Sequence, residues 1–449
     1  MNAIKRTTAL LATLALSMSL LSPASADTGN HESSVPNPMV TGPIQSDTIG
    51  DPSRNYPFGA TNIDLESKGY VEEEFFIEGD ARQYTTPTLQ TSELIDNSEP
   101  PYKTRIIVRR PANEEDFNGK VILEWYNVTA GLDLEFDWLL TNDYITRSGY
   151  AWVAVSAQRV GVNRLKDWSE RYSSLDVTAG GTLNKDELSY DIYSQVAQAL
   201  RSPGETNPLG DLEVEQVIAS GYSQSARYLA NYYNSIHPLH KVIDGFVIRG
   251  TSTPLRKNLD TKMMRTMAEG DVRQFESTAT VAGGDEKDTE NFRRWEVAGT
   301  SHVDWQQRQA YEGTLICDLG GITPINSTKP PFSRIPFHYV QAAAYEYMAN
   351  WINGGDAPPI APRLAWDNNT TKSRDTYGNA LGGIRLPQHE VATAVNTGDN
   401  SGKTPGGFER LYGSHEPFDS ATLKQLYRNN GSYVSQMNQA TNAIVNLSN

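Results

Sequence analysis

The chain has 449 residues, of which 38% are apolar, and it carries a formal net charge of −15 at pH 7. This length and apolar content suffice for one large domain or two smaller ones. The acidic balance argues against nucleic acid and anionic membrane surfaces as partners, because like charges repel. A single cysteine, Cys317, excludes a disulfide within the chain.

The N-terminus has the pattern of a secretory signal peptide. Lys5 and Arg6 precede an apolar stretch over residues 9–21. Residues 24–26, Ala-Ser-Ala, provide a small-x-small cleavage site. The apolar stretch is shorter than the ~20 residues that a transmembrane helix needs, and no other segment is long enough. We therefore predict that residues 1–26 are removed and that the mature protein is secreted or periplasmic.

An arm and two edge strands follow the predicted cleavage site. Residues 27–60 are rich in Pro, Ser, Asn, Thr and Gly and lack periodicity, which predicts an extended arm. In residues 70–77 and 103–110, charged residues border or alternate with apolar ones. This pattern is typical of antiparallel strands with one exposed face, so we predict two such strands here.

From residue 120 onward, largely apolar strands are separated in several places by helical segments. Apolar strands that alternate with helices predict a mostly parallel sheet covered on both faces, with the functional site at the carboxyl ends of the strands. The predicted helices cover residues 186–200 and 225–235. The predicted strands cover residues 120–125, 151–155, 217–219, 242–248 and 292–297.

Residues 221–225, Gly-Tyr-Ser-Gln-Ser, lie where a predicted strand turns into a predicted helix. This is the small-x-Ser-x-small pattern of a nucleophile elbow, in which the serine hydroxyl is exposed at the top of the sheet. Strand and helix crowd each other there, and Gly221 and Ser225 are small enough to fit. The alternative is an ordinary strand-to-helix turn in which Ser223 caps the helix.

An activated serine needs a base, an acid that orients the base, and an oxyanion hole. The chain order serine, acid, histidine selects His302, in the loop after the last predicted strand, as the base for Ser223. Asp271 is the preferred acid on chain order alone. Glu269 lies in the same predicted loop and remains open as the alternative.

The remaining site residues follow from position in the chain. One oxyanion donor is expected to be the backbone N–H of Gln224, and the other that of Asn127 or Val128, in the loop after the first parallel strand. Tyr222 and Trp305 adjoin the serine and histidine segments, and we expect both to contact the substrate. The chemistry requires neither a metal nor an organic cofactor.

Residues 124–129, 221–226, 295–302 and 378–385 together resemble a family of bacterial proteins called "alpha/beta hydrolase domain-containing". The likeness extends over roughly residues 60–445. It implies an α/β-hydrolase fold, with a mostly parallel central sheet, antiparallel N-terminal strands and helices on both faces. It also supports Ser223 and His302 as catalytic residues. Residues 61–449 are then expected to form a single domain with loop insertions and a C-terminal extension.

The sequence thus predicts a secreted serine carboxylic-ester hydrolase that forms an acyl-enzyme with a small-molecule or polymer-derived ester. A lactonase, thioesterase or peptidase with the same triad is the alternative enzyme. A non-catalytic binding protein on the same fold is the alternative from another class. The acidic run at residues 285–290 would carry a third hypothesis, a calcium-dependent surface protein. The acyl and alcohol groups of the substrate, and the oligomeric state, stay open.

Overall fold

A computed structural model of the chain describes residues 35–272, 286–321, 324–368, 370–403 and 407–447. The predicted signal peptide, residues 1–26, lies outside the described residues. Within the described ranges, no helix has both the length and the apolar character needed to cross a lipid bilayer.

The described residues build a mixed, nine-stranded central sheet with the spatial order β1-β2-β3-β5-β4-β6-β7-β8-β9. From β1 to β5 neighbouring strands are antiparallel, and from β5 to β9 they are parallel. The predicted mostly parallel sheet with antiparallel N-terminal strands is therefore confirmed. The strands are β1 (Met39–Thr41), β2 (Tyr70–Asp80), β3 (Pro101–Pro111), β4 (Lys120–Trp125), β5 (Ala151–Val155), β6 (Gln216–Tyr222), β7 (Gly245–Arg249), β8 (Lys262–Ala268) and β9 (Phe292–Val297).

Helices cover both faces of this sheet. Side chains of a strand alternate between faces, so Val121 belongs to one apolar core and Ile122 to the other. Helices α3 and α4 supply the first core, and α1 and α7 supply the second. The longer helices are α1 (Phe136–Arg147), α2 (Arg159–Trp168), α3 (Ser189–Arg201), α4 (Gln224–Asn231), α6 (Trp305–Leu319) and α7 (His338–Ile352).

Burial explains why the central strands are apolar throughout. Every residue of β5 and β6 is buried, whereas β2 retains partly exposed positions among its glutamates. A strand in the middle of a sheet with helices on both sides has no solvent-facing side, so it loses the alternation of an edge strand. The carboxyl ends of β6, β7, β8 and β9 then meet at one edge of the sheet.

One predicted helix end is wrong. The helix predicted over residues 225–235 extends further, because α4 continues through a π-helical turn, Tyr232–Ile236, into α5 (His237–His240). Pro238 stands at the start of α5, a position where helices accept proline because its missing N–H has no partner to lose. The wider π turn separates it from the regular hydrogen bonds of α4.

Both ends of the described chain join the domain. In the described part of the arm, β1 pairs with β2, and Val35, Tyr56 and Phe58 are buried in the first core. The predicted boundary at residues 60 and 61 stays a prediction. The C-terminal extension, residues 356–449, contains β10 (Trp366–Asn368), β11 (Thr371–Lys372), β12 (Ala394–Thr397), β13 (Ser414–Pro417), α8 (Pro387–Glu390), α9 (Ser420–Leu426) and α10 (Asn430–Leu447).

Candidate active site

Ser223 forms the sharp turn between β6 and α4. It has a positive φ of 57°, a conformation that a residue with a side chain seldom adopts. Its backbone N–H donates to the Arg249 carbonyl over 2.8 Å, which ties the turn to the end of β7. A Cβ on Gly221 would lie 3.2 Å from backbone atoms of Ser225 and Ala226, so the strand and helix meet there as the elbow pattern requires.

Ser225 stands where the commoner form of the elbow pattern has glycine, and its side chain forms hydrogen bonds that glycine could not form. Its hydroxyl accepts the Tyr222 backbone N–H over 3.0 Å and lies 3.1 Å from the Tyr222 carbonyl oxygen, to which it donates. Both hydrogen bonds span three residues, and the Ser225 side chain is fully buried. The fifth residue of the pattern therefore closes the elbow on itself with a hydroxyl.

His302 lies in the loop after β9 and is hydrogen-bonded through Nδ1 to Asp271 Oδ1. The other carboxylate oxygen of Asp271 accepts the backbone N–H of Ala268 over 2.8 Å. Exposure of both residues is at most 2%. A proton held on Nδ1 by the carboxylate makes Nε2 the nitrogen that can accept one, as a general base requires.

Tyr222 and Arg249 both contact His302 and hold it in position. The Tyr222 ring stacks on the imidazole with 4.5 Å between ring centroids, and its hydroxyl donates to the His302 carbonyl. Arg249 Nη2 donates to the same carbonyl over 2.9 Å. Burial raises the pKa of Tyr222 well above its ordinary value, so this hydroxyl remains a donor at neutral pH. Tyr222, expected to contact substrate, thus also positions His302.

Gly250 brings the chain unusually close to the histidine and its acid. It follows β7 with a φ of 66°, and a Cβ there would lie 3.0 Å from His302 Cε1 and 3.2 Å from Asp271 Oδ2. Glycine adopts positive φ without steric penalty. Any side chain at this position would press on the imidazole.

Glu269, the alternative acid, has a different set of contacts. Its two carboxylate oxygens accept the Gly299 backbone N–H over 2.7 Å and Arg374 Nη2 over 2.7 Å. Its own N–H donates to Thr300 Oγ1 over 3.2 Å. The carboxylate is fully buried and braces the loop that leads to His302. In this structure Asp271, and not Glu269, contacts the imidazole.

The C-terminal extension packs directly on the two loops that carry Asp271 and His302. Gly398 approaches Gly270 so closely that a Cβ on Gly398 would lie 2.1 Å from the Gly270 nitrogen. The backbone N–H of Val303 donates to the Leu411 carbonyl over 2.9 Å. Together with Arg374, these contacts join the extension to both loops.

Ser223 and His302 line one cavity of about 580 Å³ at the carboxyl edge of the sheet. This volume lies within the ~300–1,000 Å³ of small-molecule sites. Much of its wall is apolar and includes Leu132, Leu134, Phe136, Leu315, Leu319 and Leu411.

Of the two residues expected to contact substrate, Tyr222 lines this cavity and Trp305 does not. Trp305 opens α6, and its side chain is 41% exposed. The Arg334 guanidinium lies 5.0 Å from its ring centroid. The structure therefore places the indole outside the space that Ser223 and His302 share.

The expected oxyanion donors are only partly available. The Asn127 backbone N–H donates to the Leu134 carbonyl over 3.0 Å, so the prediction that it faces an oxyanion is wrong in this structure. The Val128 N–H, the other alternative, is directed at the elbow and donates to Gln224 Oε1 over 3.1 Å. Gln224 is the first residue of α4, where backbone N–H groups lack acceptors within the helix.

The described residues contain no group of three or more His, Cys, Asp or Glu side chains arranged to hold a metal ion. In the acidic run at 285–290, residue 285 lies outside the described residues. Glu286 pairs with Arg265 over 2.8 Å and with Lys257 over 3.2 Å, and Asp288 pairs with Arg363 over 2.9 Å. Glu286 and Asp288 are therefore already paired with basic side chains of the fold.

Several functional candidates gave no signal in the sequence. Arg249 and Gly250 end and follow a strand, and nothing local shows that they reach His302. Arg164 and Arg308 line the cavity from α2 and α6. A helical residue on a cavity wall has the same sequence pattern as one on the surface, so only the packing of the helices reveals it.

Comparison with known proteins agrees with this architecture. The model of the family described as "Alpha/beta hydrolase domain" matches residues 40–447. A search of curated protein sequences found no match.

Three solved structures are among those similar to this chain. An a/b serine hydrolase without lid from Xanthomonas campestris is 12% identical, with 49% of this chain and 92% of that chain covered and a TM-score of 0.31. A mutant of esterase Est22 is 11% identical, with coverages of 66% and 86% and a TM-score of 0.31. Methylesterase BT1017 is 11% identical, with coverages of 57% and 55% and a TM-score of 0.33.

The family match extends over nearly the whole chain, and the nine-stranded sheet has the layout that the family's fold requires. The chain therefore belongs to the alpha/beta hydrolase domain family, a membership that supports hydrolase activity.

Proposed function

We propose that the protein is an exported serine carboxylic-ester hydrolase that works through Ser223, His302 and Asp271. One observation carries the proposal. The strained Ser223 turn opens into the same cavity as His302, and the Nδ1 of His302 is bound to the buried Asp271 carboxylate. These contacts support the assignment of Ser223 as nucleophile, His302 as base and Asp271 as orienting acid for acyl transfer.

In the proposed reaction the Ser223 Oγ attacks the ester carbonyl while His302 Nε2 takes the hydroxyl proton. Asp271 keeps the imidazole in the required tautomer and stabilises the imidazolium without taking the proton. Collapse of the tetrahedral intermediate breaks the bond to the alcohol, which receives the proton from His302. Water, deprotonated by His302, then attacks the acyl-enzyme, releases the acid and restores Ser223.

The oxyanion hole is proposed to consist of the backbone N–H groups of Gln224 and Val128. Gln224 Oε1 accepts the Val128 N–H, and Gln224 Nε2 donates to Gln158 Oε1 over 2.9 Å. The glutamine carboxamide thus occupies a donor that the substrate carbonyl oxygen needs. It has to turn away before that oxygen can be bound by both N–H groups.

The cavity supports a small-molecule ester as the substrate. Its volume suits a small molecule, and its apolar wall suits the acyl or alcohol chain of an ester. A lactonase, thioesterase or peptidase would use the same triad. A panel of matched lactone, thioester, amide and ester substrates separates these activities, and we expect the ester to give the highest kcat/KM.

The decisive experiment is intact mass measurement after treatment with a fluorophosphonate, which phosphonylates the oxygen of an activated serine and releases fluoride. We expect one adduct on Ser223, absent in Ser223→Ala and at least tenfold slower in His302→Ala. Ser173→Ala, at an exposed serine, is the matched control and keeps the wild-type rate. A folded wild-type protein that forms no adduct would favour the non-catalytic binding protein instead.

Export is proposed from the N-terminal pattern and is tested separately. Expression of the full chain in a bacterium, followed by N-terminal sequencing of the secreted or periplasmic fraction, is expected to begin at Asp27. Intact protein that retains residues 1–26 and stays inside the cell would contradict export without affecting the proposed chemistry.

A further inference from the structure

The cavity beside Ser223 carries a positive excess within an acidic protein. Of the described residues that line it, leaving His302 aside, Arg164, Arg308 and Glu409 are charged. Two arginines and one glutamate leave one net positive charge, whereas the whole chain has a formal charge of −15. In a partly apolar cavity such an excess acts on a ligand more strongly than it would on the exposed surface.

Arg308 is held so that part of its guanidinium remains available. The residue is only 6% exposed and lies in the first turns of α6, just after the His302 loop. Its Nε donates to Glu312 Oε1 over 2.7 Å, and no other described residue forms a hydrogen bond or ion pair with the Arg308 side chain. The two Nη groups therefore lack an acceptor among the described residues.

Arg164 supplies a second donor from the opposite helix, α2. Its Nε is buried and has no hydrogen-bond partner, and no described acid forms an ion pair with it. A buried donor without an acceptor is unfavourable for the folded protein. Arg164 as a whole is half-buried and lines the cavity, so its guanidinium adds a positive charge to this wall.

A row of aromatic rings connects Arg308 with the proposed triad. The Tyr222 ring, stacked on His302, lies 4.7 Å from Phe136, and Phe136 lies 6.3 Å from Tyr311. The Arg308 guanidinium is 5.7 Å from the Tyr311 centroid. Tyr222, Phe136, Tyr311 and Arg308 all line the cavity, so this row of side chains runs along its wall between His302 and the Arg308 guanidinium.

We propose that this cavity selects esters whose acyl or alcohol part ends in a carboxylate, which Arg308 and Arg164 bind while Ser223 attacks the ester carbonyl. The planar guanidinium presents paired N–H donors that match the two oxygens of a carboxylate. The apolar wall between the arginines and His302 accommodates the methylene chain that separates the two ends of such a substrate. The inference rests on the proposed esterase function of the same site.

The test compares two esters that differ only in their terminal group, p-nitrophenyl valerate and the p-nitrophenyl monoester of glutarate. We expect the wild-type protein to hydrolyse the anionic ester with a kcat/KM about tenfold or more above that of the neutral one. Arg308→Gln and Arg164→Gln are expected to remove most of this preference through KM, and Arg308→Lys to retain part of it. Arg227→Gln, at an exposed arginine of α4, is the matched control.

Equal or higher kcat/KM for valerate in the wild-type protein would overturn the inference, as would a preference for the anionic ester that survives in both glutamine variants. Failure of the esterase proposal has a different signature, namely no turnover of either ester and no fluorophosphonate adduct. In that case, calorimetric titration with monomethyl glutarate and methyl valerate tests whether the cavity binds an anion. Binding of the glutarate that is lost in Arg308→Gln supports the anion site, and absence of glutarate binding refutes it.

Discussion

The elbow and the two loops that carry Asp271 and His302 are supported in different ways. The elbow is held by its own neighbours, with the Ser225 hydroxyl bound to the Tyr222 backbone. The acid and histidine loops depend on residues far away in the chain, since Arg374 binds Glu269 across 105 positions. The turn at the nucleophile is thus closed largely by hydrogen bonds within three residues, whereas the loops of the base and its acid are also braced by the C-terminal extension.

The most direct test of this difference substitutes the two carboxylates of one loop, Asp271 and Glu269, one at a time. Asp271→Asn is expected to lower kcat about 10³–10⁴-fold, because an amide cannot hold the required tautomer. Glu269→Gln is expected to lower the free energy of unfolding by ~1–3 kcal/mol, because a buried charged hydrogen-bond acceptor is lost. Its effect on kcat should be much smaller.

Ester hydrolysis and thermal unfolding of both variants supply the readout. The wild-type protein and Ser223→Ala serve as the upper and lower references for activity. If Glu269→Gln loses as much kcat as Asp271→Asn while remaining as stable as the wild type, Glu269 participates in the chemistry and the assignment of separate roles is wrong.

Gly250→Ala tests how tightly the histidine is enclosed. We expect a ~10–100-fold loss of kcat, because the new methyl group would lie 3.0 Å from His302 Cε1 and displace the imidazole. Gly180→Ala is the matched control, since Gly180 has a φ of 70° but no atom within 4 Å of the added Cβ. Both variants pay the backbone strain of ~1–2 kcal/mol, and only Gly250→Ala is expected to lose activity.

Equal kinetics in the two glycine variants would show that His302 adapts to the added methyl group. A crystal structure or histidine NMR signals of Gly250→Ala would then be expected to resemble the wild type. A displaced imidazole resonance with retained stability would instead support the close enclosure.

Arg374→Gln tests the long-range brace itself. It leaves the buried Glu269 with fewer partners, so we expect the free energy of unfolding to fall by ~1–3 kcal/mol and kcat to fall several-fold. Lys329→Gln is the control, because its ion pair with Glu416 is 51% and 41% exposed and such pairs contribute about 0–1 kcal/mol. Urea unfolding of both variants measures the difference, and equal stabilities would contradict the brace.

A pH-dependent effect on stability is expected in the helix that leaves the elbow. Burial lowers the pKa of His237 from 6.5 to about 3, and its Nε2 lies 2.7 Å from Thr261 Oγ1. The unfolded chain therefore takes up a proton first, and this residue destabilises the fold as the pH falls below about 6.5 towards 3. Over this range His237 lowers the free energy of unfolding by ~1.4 kcal/mol for each pH unit.

His237→Gln is expected to reduce the loss of unfolding free energy between pH 7 and pH 5 by ~2 kcal/mol relative to the wild type. Urea unfolding at the two pH values provides the measurement. An unchanged pH dependence would mean that His237 is protonated in the folded protein, contrary to its buried position.

Much of the central sheet was predictable because apolar strands have a strong local signal. The strands predicted at 120–125, 151–155 and 292–297 match β4, β5 and β9 residue for residue. β8 was not assigned as a strand, since Lys262 and Arg265 interrupt its apolar residues. Arg265 is nevertheless buried, because Glu286 from a later segment neutralises it.

The elbow pattern, the chain order of its partners and the family were determined by the sequence itself, since each depends on neighbouring residues or on blocks of fixed spacing. Tertiary structure decided which carboxylate contacts His302, where the Asn127 N–H points and which arginines reach the cavity. Asp271 and Glu269 are two residues apart and similar in chemistry. β7, β9 and the C-terminal extension pack around that loop and turn Asp271 towards the imidazole and Glu269 towards Arg374. Tertiary structure decides this, because the partners of a side chain depend on which distant segments fold beside it.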